Sequence, residues 1–185
     1  MEILDVVDEY GNPTGERVER EKAHALGIRH RTSHVWVVRN RNNRPEILLQ
    51  KRCAAKDSFP GCYDISSAGH IPAGCGFKES AVRELSEELG VSASEDMLIP
   101  CGDITIEYDG VFHGRPFHDR QVSRVFIIYI DKPSADFTLQ KDEIDSVIWM
   151  DLDECITAVE SGTIDNCISV EELRMVEAAS CLGSR

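Results

Sequence analysis

No run of apolar residues in this 185-residue chain approaches the ~18 needed to cross a bilayer, and its first residues have neither the basic nor the apolar region of a secretion signal. A cytoplasmic location without a membrane partner is the expectation. Basic excess is also missing: 20 Lys and Arg stand against 33 Asp and Glu, a formal net charge of -13. Tracking a nucleic-acid backbone requires clustered Lys and Arg that release counterions, so no nucleic-acid partner is expected. Seven cysteines (53, 62, 75, 101, 155, 167 and 181) form no CxxC pair, and their odd number speaks against a complete disulfide framework. Repeats, low-complexity tracts and linkers are absent too. What is present is 42% hydrophobic, enough for a core, at about the length of one domain. One domain over residues 1–185 is expected, with an N-terminal hairpin at 2–21.

The pattern predicts a strand at 2–8, a turn at 10–15, a returning strand at 16–21 and a short helix at 21–26. Apolar runs at 34–38 and 47–50, around the polar turn 39–44, read as a hairpin of the central sheet, and 51–64 as a loop crossing toward the site. Further strands are expected at 103–108, 121–130 and 147–150. Asp151 with Glu154 three residues on, and Ser169 with Glu172, mark the starts of two closing helices. Strands and helices in this order give the α/β class, a mixed sheet between helices.

Phe77, Val82, Leu85 and Leu89 recur at roughly helical period and predict an amphipathic helix. Glu84, Glu87 and Glu88 fall at i, i+3 and i+4 on another edge, expected to be exposed. Like charges one turn apart cost a few tenths of a kcal/mol, and the helix dipole disfavours anions at this end. A bound cation would reverse both effects. Glu-rich helix faces are also commonly plain solvated surface, so the surroundings decide.

Those surroundings resemble the Nudix box: Gly, five residues, Glu, seven residues, then Arg-Glu-U-x-Glu-Glu-x-Gly-U with U a bulky aliphatic residue. Gly69, Arg83, Glu84, Leu85, Glu87, Glu88, Gly90 and Val91 fall on it in register, and Cys75 stands where the first Glu belongs. The resemblance implies an α/β/α sandwich with a central mixed sheet. It implies hydrolysis of a diphosphate linkage in a small molecule such as a nucleoside diphosphate derivative, by a monomer or homodimer. By the same resemblance Mg²⁺ or Mn²⁺, which suit oxygen donors, would be held by Glu84, Glu87 and Glu88 with the Gly69 carbonyl as a further ligand. Arg83 would orient the carboxylates, although Arg83 and Glu87 are also an ordinary i,i+4 brace. Glu143, six residues before Trp149, resembles the loop acid of many Nudix enzymes and is the first choice for general base, with Glu84 next. Loss of the first box Glu leaves a binding module without turnover as another reading, disfavoured because the metal-ligand positions survive.

Residues 1 to about 155 are also similar to isopentenyl diphosphate isomerases, through Lys51-Arg52, Lys56, Phe59-Pro60-Gly61 and Ala68-Gly69-His70. That likeness implies a diphosphate clamp of Lys51, Arg52 and Lys56, which could otherwise be an exposed basic loop. It also suggests a metal cluster of His24, His30 and His70. We read against that cluster, because His24 and His30 stand six apart where the isomerases lead us to expect seven. His34, His113 and His118 carry no motif. The isomerase Cys falls on Ala68 and its catalytic Glu on Gln121, and neither replacement is an acid or base near pH 7. Hydrolysis is therefore expected over isomerisation.

Overall fold

The computed structural model describes residues 2–56 and 58–182. The Asp8 carboxylate accepts hydrogen bonds from the Tyr10 and Asn12 amides, each at 2.9 Å, and so closes the turn between β1 (Ile3–Val7) and the antiparallel β2 (Pro13–Glu19). Pro13 opens the second strand, where a missing N–H is tolerated, and the turn is shorter than the sequence suggests. α1 (Arg20–Leu26) follows directly.

The main sheet is built on β3 (His30–Arg41). Its residues 38–41 pair with β4 (Arg44–Arg52), and β4 pairs outward with β5 (Tyr63–Asp64). Its residues 32–35 pair, along the same edge, with β6 (Ser67–His70). Helix α2 (Phe77–Leu89) comes next, then β7 (Ile99–Phe112) and β8 (Arg115–Tyr129), which form one long hairpin. β8 runs parallel to β3 on its other edge, and β9 (Ile144–Asp151) pairs antiparallel with β4. Helices α3 (Leu152–Ser161) and α4 (Val170–Leu182) close the chain.

Side chains alternate across β3 with period two. Trp36 and Val38 pack with Leu49, Ile127, Leu152 and Leu173 against α3 and α4, while Val35 and Val37 pack with Leu48, Phe126, Leu85 and Leu89 against α2. The result is the α/β/α sandwich around a mixed sheet. Each fully buried aliphatic side chain contributes about 1.5–3 kcal/mol, so the two cores fix the sheet between its helices.

Three features differ from expectation. β6, Ser67-Ala68-Gly69-His70, has no strand propensity and forms because the buried edge of β3 needs backbone partners. The β7–β8 hairpin extends well past 108 and begins again at 115, so His118 lies in a strand rather than a loop. Asp151 caps α3 as expected, accepting from the Asp153 and Glu154 amides at 3.0 and 3.2 Å. At α4, Ser169 Oγ receives the Glu172 amide at 3.4 Å, but the Glu172 carboxylate turns inward to the sheet instead of completing a capping box. Among the described residues no helix is long and apolar enough to cross a membrane.

Gly90 ends α2 at φ +63°, and a Cβ there would lie 2.6 Å from the Thr138 Cβ. Gly90→Ala is expected to lower stability by about 1–3 kcal/mol, through backbone strain and this contact. Chemical denaturation reads the loss; an unchanged midpoint would mean that the segment around Thr138 moves aside freely.

Candidate active site

β4 and β6 leave the same edge of β3 and diverge, so the sheet opens between them into a cleft of about 2290 Å³ reached from both faces. Alternation along β6 then sorts its residues. Gly69 faces α2, and a Cβ built on it would stand 2.2 Å from the Glu84 Cδ, so only glycine admits this carboxylate. Glu84 Oε1 accepts from Arg83 Nη2 at 2.6 Å, and Arg83 also donates to the His70 carbonyl at 3.3 Å. Burial raises the Glu84 pKa against the opposing pull of Arg83.

Glu88 is not the exposed carboxylate that the helix pattern predicts. It is 7% exposed and accepts the Ala68 amide at 3.3 Å. Burial, with the Glu84 charge adding to it, pushes its pKa up to about 8. Glu87 alone of the three is out in solvent, its side chain 57% exposed with Oε2 3.9 Å from Arg83 Nε. That buried Nε has no hydrogen-bond partner among the described residues, and the nearby position that the box gives to Glu holds Cys75.

On the other face of β6 the structure corrects the sequence reading of the histidines. The ligand nitrogens of His24, His30 and His70 lie within 4.8 Å of one another, and His24 Nε2 and His70 Nε2 are 3.3 Å apart. Chain spacing was a poor guide because α1 ends in Gly27 at φ +65°, which swings His24 back over β3, while His70 arrives on the neighbouring strand. Burial pushes all three pKa values down, that of His24 to about 3, so the rings are neutral at pH 7. Asp119 Oδ1 sits 3.7 Å from both His24 Nε2 and His30 Nε2. Neither Asp119 Oδ1 nor His30 Nε2 has a hydrogen-bond partner among the described residues. His30 Nδ1 faces the Ile28 carbonyl at 2.9 Å, which leaves the Nε2 lone pair directed at the cluster. Three neutral imidazoles and a carboxylate are a donor set suited to a transition metal. Glu84, Glu87 and Glu88 do not gather as closely: among the described residues only the histidines bring three such ligand atoms together.

At the cleft mouth Lys56 Nζ is ion-paired with Glu143, so one proposed clamp residue and the favoured base already hold each other. The clamp itself needs correction. Arg52 is committed to Asp64 at 2.8 Å and to the Ser58 carbonyl at 3.0 and 3.1 Å, and braces the loop. Lys51 does not line the cleft, because strand alternation turns it away from the side of Gln50 and Arg52. Phe59, Tyr108, Phe112 and Phe117 pack edge to face and stacked above the cleft, with Phe117 over His24 at 4.6 Å. The sequence pattern does not show this wall because its strands stop at 108 and resume at 121, whereas the hairpin runs on through Phe112 and Phe117.

The family model described as NUDIX domain matches residues 29–166. An uncharacterized Nudix hydrolase of Clostridium acetobutylicum is 37% identical over 153 residues, covering 83% of this chain and 71% of that protein. An isopentenyl-diphosphate Delta-isomerase of Corynebacterium diphtheriae is 26% identical over 88% of this chain and 85% of its own length. In fold, a crystal structure from Deinococcus radiodurans superposes with a TM-score of 0.72 over 94% of this chain and 98% of that one, at 18% identity.

The Glu88 shift fixes the sign of a pH effect. Its folded pKa of about 8 lies above the ordinary 4.5, so its contribution to stability is full below 4.5 and is lost as pH rises through about 8. In chelator-treated protein, wild type should melt progressively below Glu88→Gln as pH goes from about 5 to about 8. Calorimetry of the pair checks this, and a difference that stays flat with pH would mean that Glu88 ionises as a surface acid does.

Proposed function

The chain belongs to the Nudix family as a pyrophosphohydrolase, and on that premise we propose that it cleaves the diphosphate linkage of a small organic diphosphate with Mg²⁺ or Mn²⁺ held by Glu84, Glu87, Glu88 and the Gly69 carbonyl. One observation carries the reading: Glu88 is a buried carboxylate on a cleft with no cationic partner among the described residues, beside a second carboxylate packed on a glycine. Such a group is costly until a cation arrives, because a buried charge needs a counter-charge. A bound divalent cation neutralises phosphate charge and makes water easier to deprotonate.

The chain's own groups do the rest. Arg83 holds Glu84 in place, at 2.6 Å. Glu143 takes the proton of the attacking water as its oxygen bonds to phosphorus and the bridging P–O bond breaks. Lys56, the clamp residue that remains, exchanges Glu143 for a phosphate oxygen when substrate enters, which also frees the base. Isomerisation has less support, since Ala68 has no proton to move and the Gln121 amide is occupied by Thr32 at 3.1 Å and Asp119 at 2.6 Å. The histidine cluster with Asp119 is a second cation site in this reading, for a transition metal that braces α1, β3, β6 and β8.

A panel of nucleotide and isoprenoid diphosphates, incubated with Mg²⁺ and analysed by mass, tests the activity. Glu88→Gln should abolish most turnover while the protein still folds; full activity there would remove the carboxylate site. Glu143→Gln should slow the reaction about 10² to 10⁴-fold, and a change under threefold would move the base to Glu84 or elsewhere. For the second cation, elemental analysis of purified protein is expected to find a transition metal that His70→Ala loses and Glu88→Gln keeps. Equal metal content in wild type and His70→Ala would dismiss that site.

A further inference from the structure

His34 has no place in the reading above, yet it is built into the cleft. It is 7% exposed, on the floor, beside its cross-strand neighbour Ala68. Its Nδ1 lies 3.1 and 3.0 Å from the two carboxylate oxygens of Glu172, a residue of α4 that is 1% exposed. Trp36 Nε1 donates to the same carboxylate at 2.8 Å and fixes its position. Nδ1–H is thereby committed, and the ring presents Nε2 to the cleft, as a carboxylate behind an imidazole does in hydrolytic triads.

Nε2 is poorly provided for. Its neighbour is Thr32 Oγ1 at 3.4 Å, and that hydroxyl is already engaged with Ser123 Oγ at 2.6 Å and Gln121 Oε1 at 3.1 Å. Docking of α4 does not require the pair, since Leu173 and Val176 bury the helix in the core. A buried carboxylate and a buried imidazole cost desolvation, which an apolar pair at the same place would avoid. The cleft around them is lined both by polar side chains, Thr32, Gln50 and Gln121, and by apolar ones, Ile65, Ile104 and Ile168. A sugar ring offers surfaces for both: hydroxyls on its edge and C–H groups on its faces.

We propose that His34, held by Glu172, contacts the organic half of the substrate through a hydrogen bond between Nε2 and a hydroxyl, and so selects sugar-bearing diphosphates over hydrocarbon ones. This rests on the hydrolase reading. A hydroxyl donates and accepts, so it satisfies Nε2 whichever proton state the ring adopts, whereas a hydrocarbon tail satisfies neither. The cross-strand neighbour of His34, Ala68, carries only a methyl group.

The test uses the full chain labelled with ¹⁵N-histidine, with the His34 signals assigned through His34→Gln and Ca²⁺ present to slow turnover. The probes are ADP-ribose, isopentenyl diphosphate and inorganic pyrophosphate. ADP-ribose is expected to shift the His34 Nε2 resonance, and the other two to leave it in place. Glu172→Gln, which keeps the shape of the carboxylate, should raise KM for ADP-ribose about tenfold with Mg²⁺ and change kcat less, in line with one hydrogen bond to substrate. An equal shift with isopentenyl diphosphate or pyrophosphate, or no shift with ADP-ribose, overturns the proposal. The hydrolase reading fails separately, if wild type with Mg²⁺ cleaves no member of the nucleotide and isoprenoid diphosphate panel, because the resonance reports binding without turnover.

Discussion

The backbone groups along one edge of β3 have to be satisfied by two strands that do not continue each other, β4 at 38–41 and β6 at 32–35. Buried amides and carbonyls do not go unpaired, so both strands are held to that edge, and the gap where they part is the cleft. β6 is four residues long, and strict alternation along it presents Gly69 to the acidic face and His70 to the histidine face. A one-residue slip of β6 would exchange the two and bring a ring against Glu84, where not even a Cβ fits.

Electrostatics follow from that placement. Carboxylates drawn under the surface on α2 and β8, namely Glu84, Glu88 and Asp119, all have raised pKa values, chiefly from burial. The three clustered imidazoles are shifted the opposite way by the same cause. Both shifts have one cause, since burial disfavours the charged form of either kind of group. His34 is the exception: burial lowers its pKa, but the Glu172 charge and hydrogen bond outweigh burial and leave it raised. Within one cleft, then, histidines are shifted in opposite directions, and a carboxylate behind one ring makes the difference.

Much of this was legible in the chain. Helical period and the Arg83 to Val91 spacing located α2 and its three glutamates, and Asp151 marked the start of α3. Depth was not legible: Glu87 and Glu88 are neighbours in sequence, yet one is in solvent and the other is buried under Ala68. Convergence was not legible either, since His24, His30 and His70 meet through a left-handed glycine and a strand of no intrinsic preference. Glu172 looked like half of a capping box, and only the sheet beneath it shows that its carboxylate serves His34 and Trp36. Local rules assign residues to elements; which groups share a cavity depends on contacts between strands far apart in the chain.

The parallel pairing of β3 with β8 joins residues 91 positions apart, as between Thr32 and Ser123. Closing so long a loop costs entropy before any contact repays it, and such topologies fold slowly. As the chain leaves the ribosome, β3 can find β4 and β6 at once, but its other edge, the backbone of residues 30–38, waits for roughly ninety more residues. During that interval the central strand is an open template for another chain. The yield of this protein should thus respond to synthesis rate and chaperone supply.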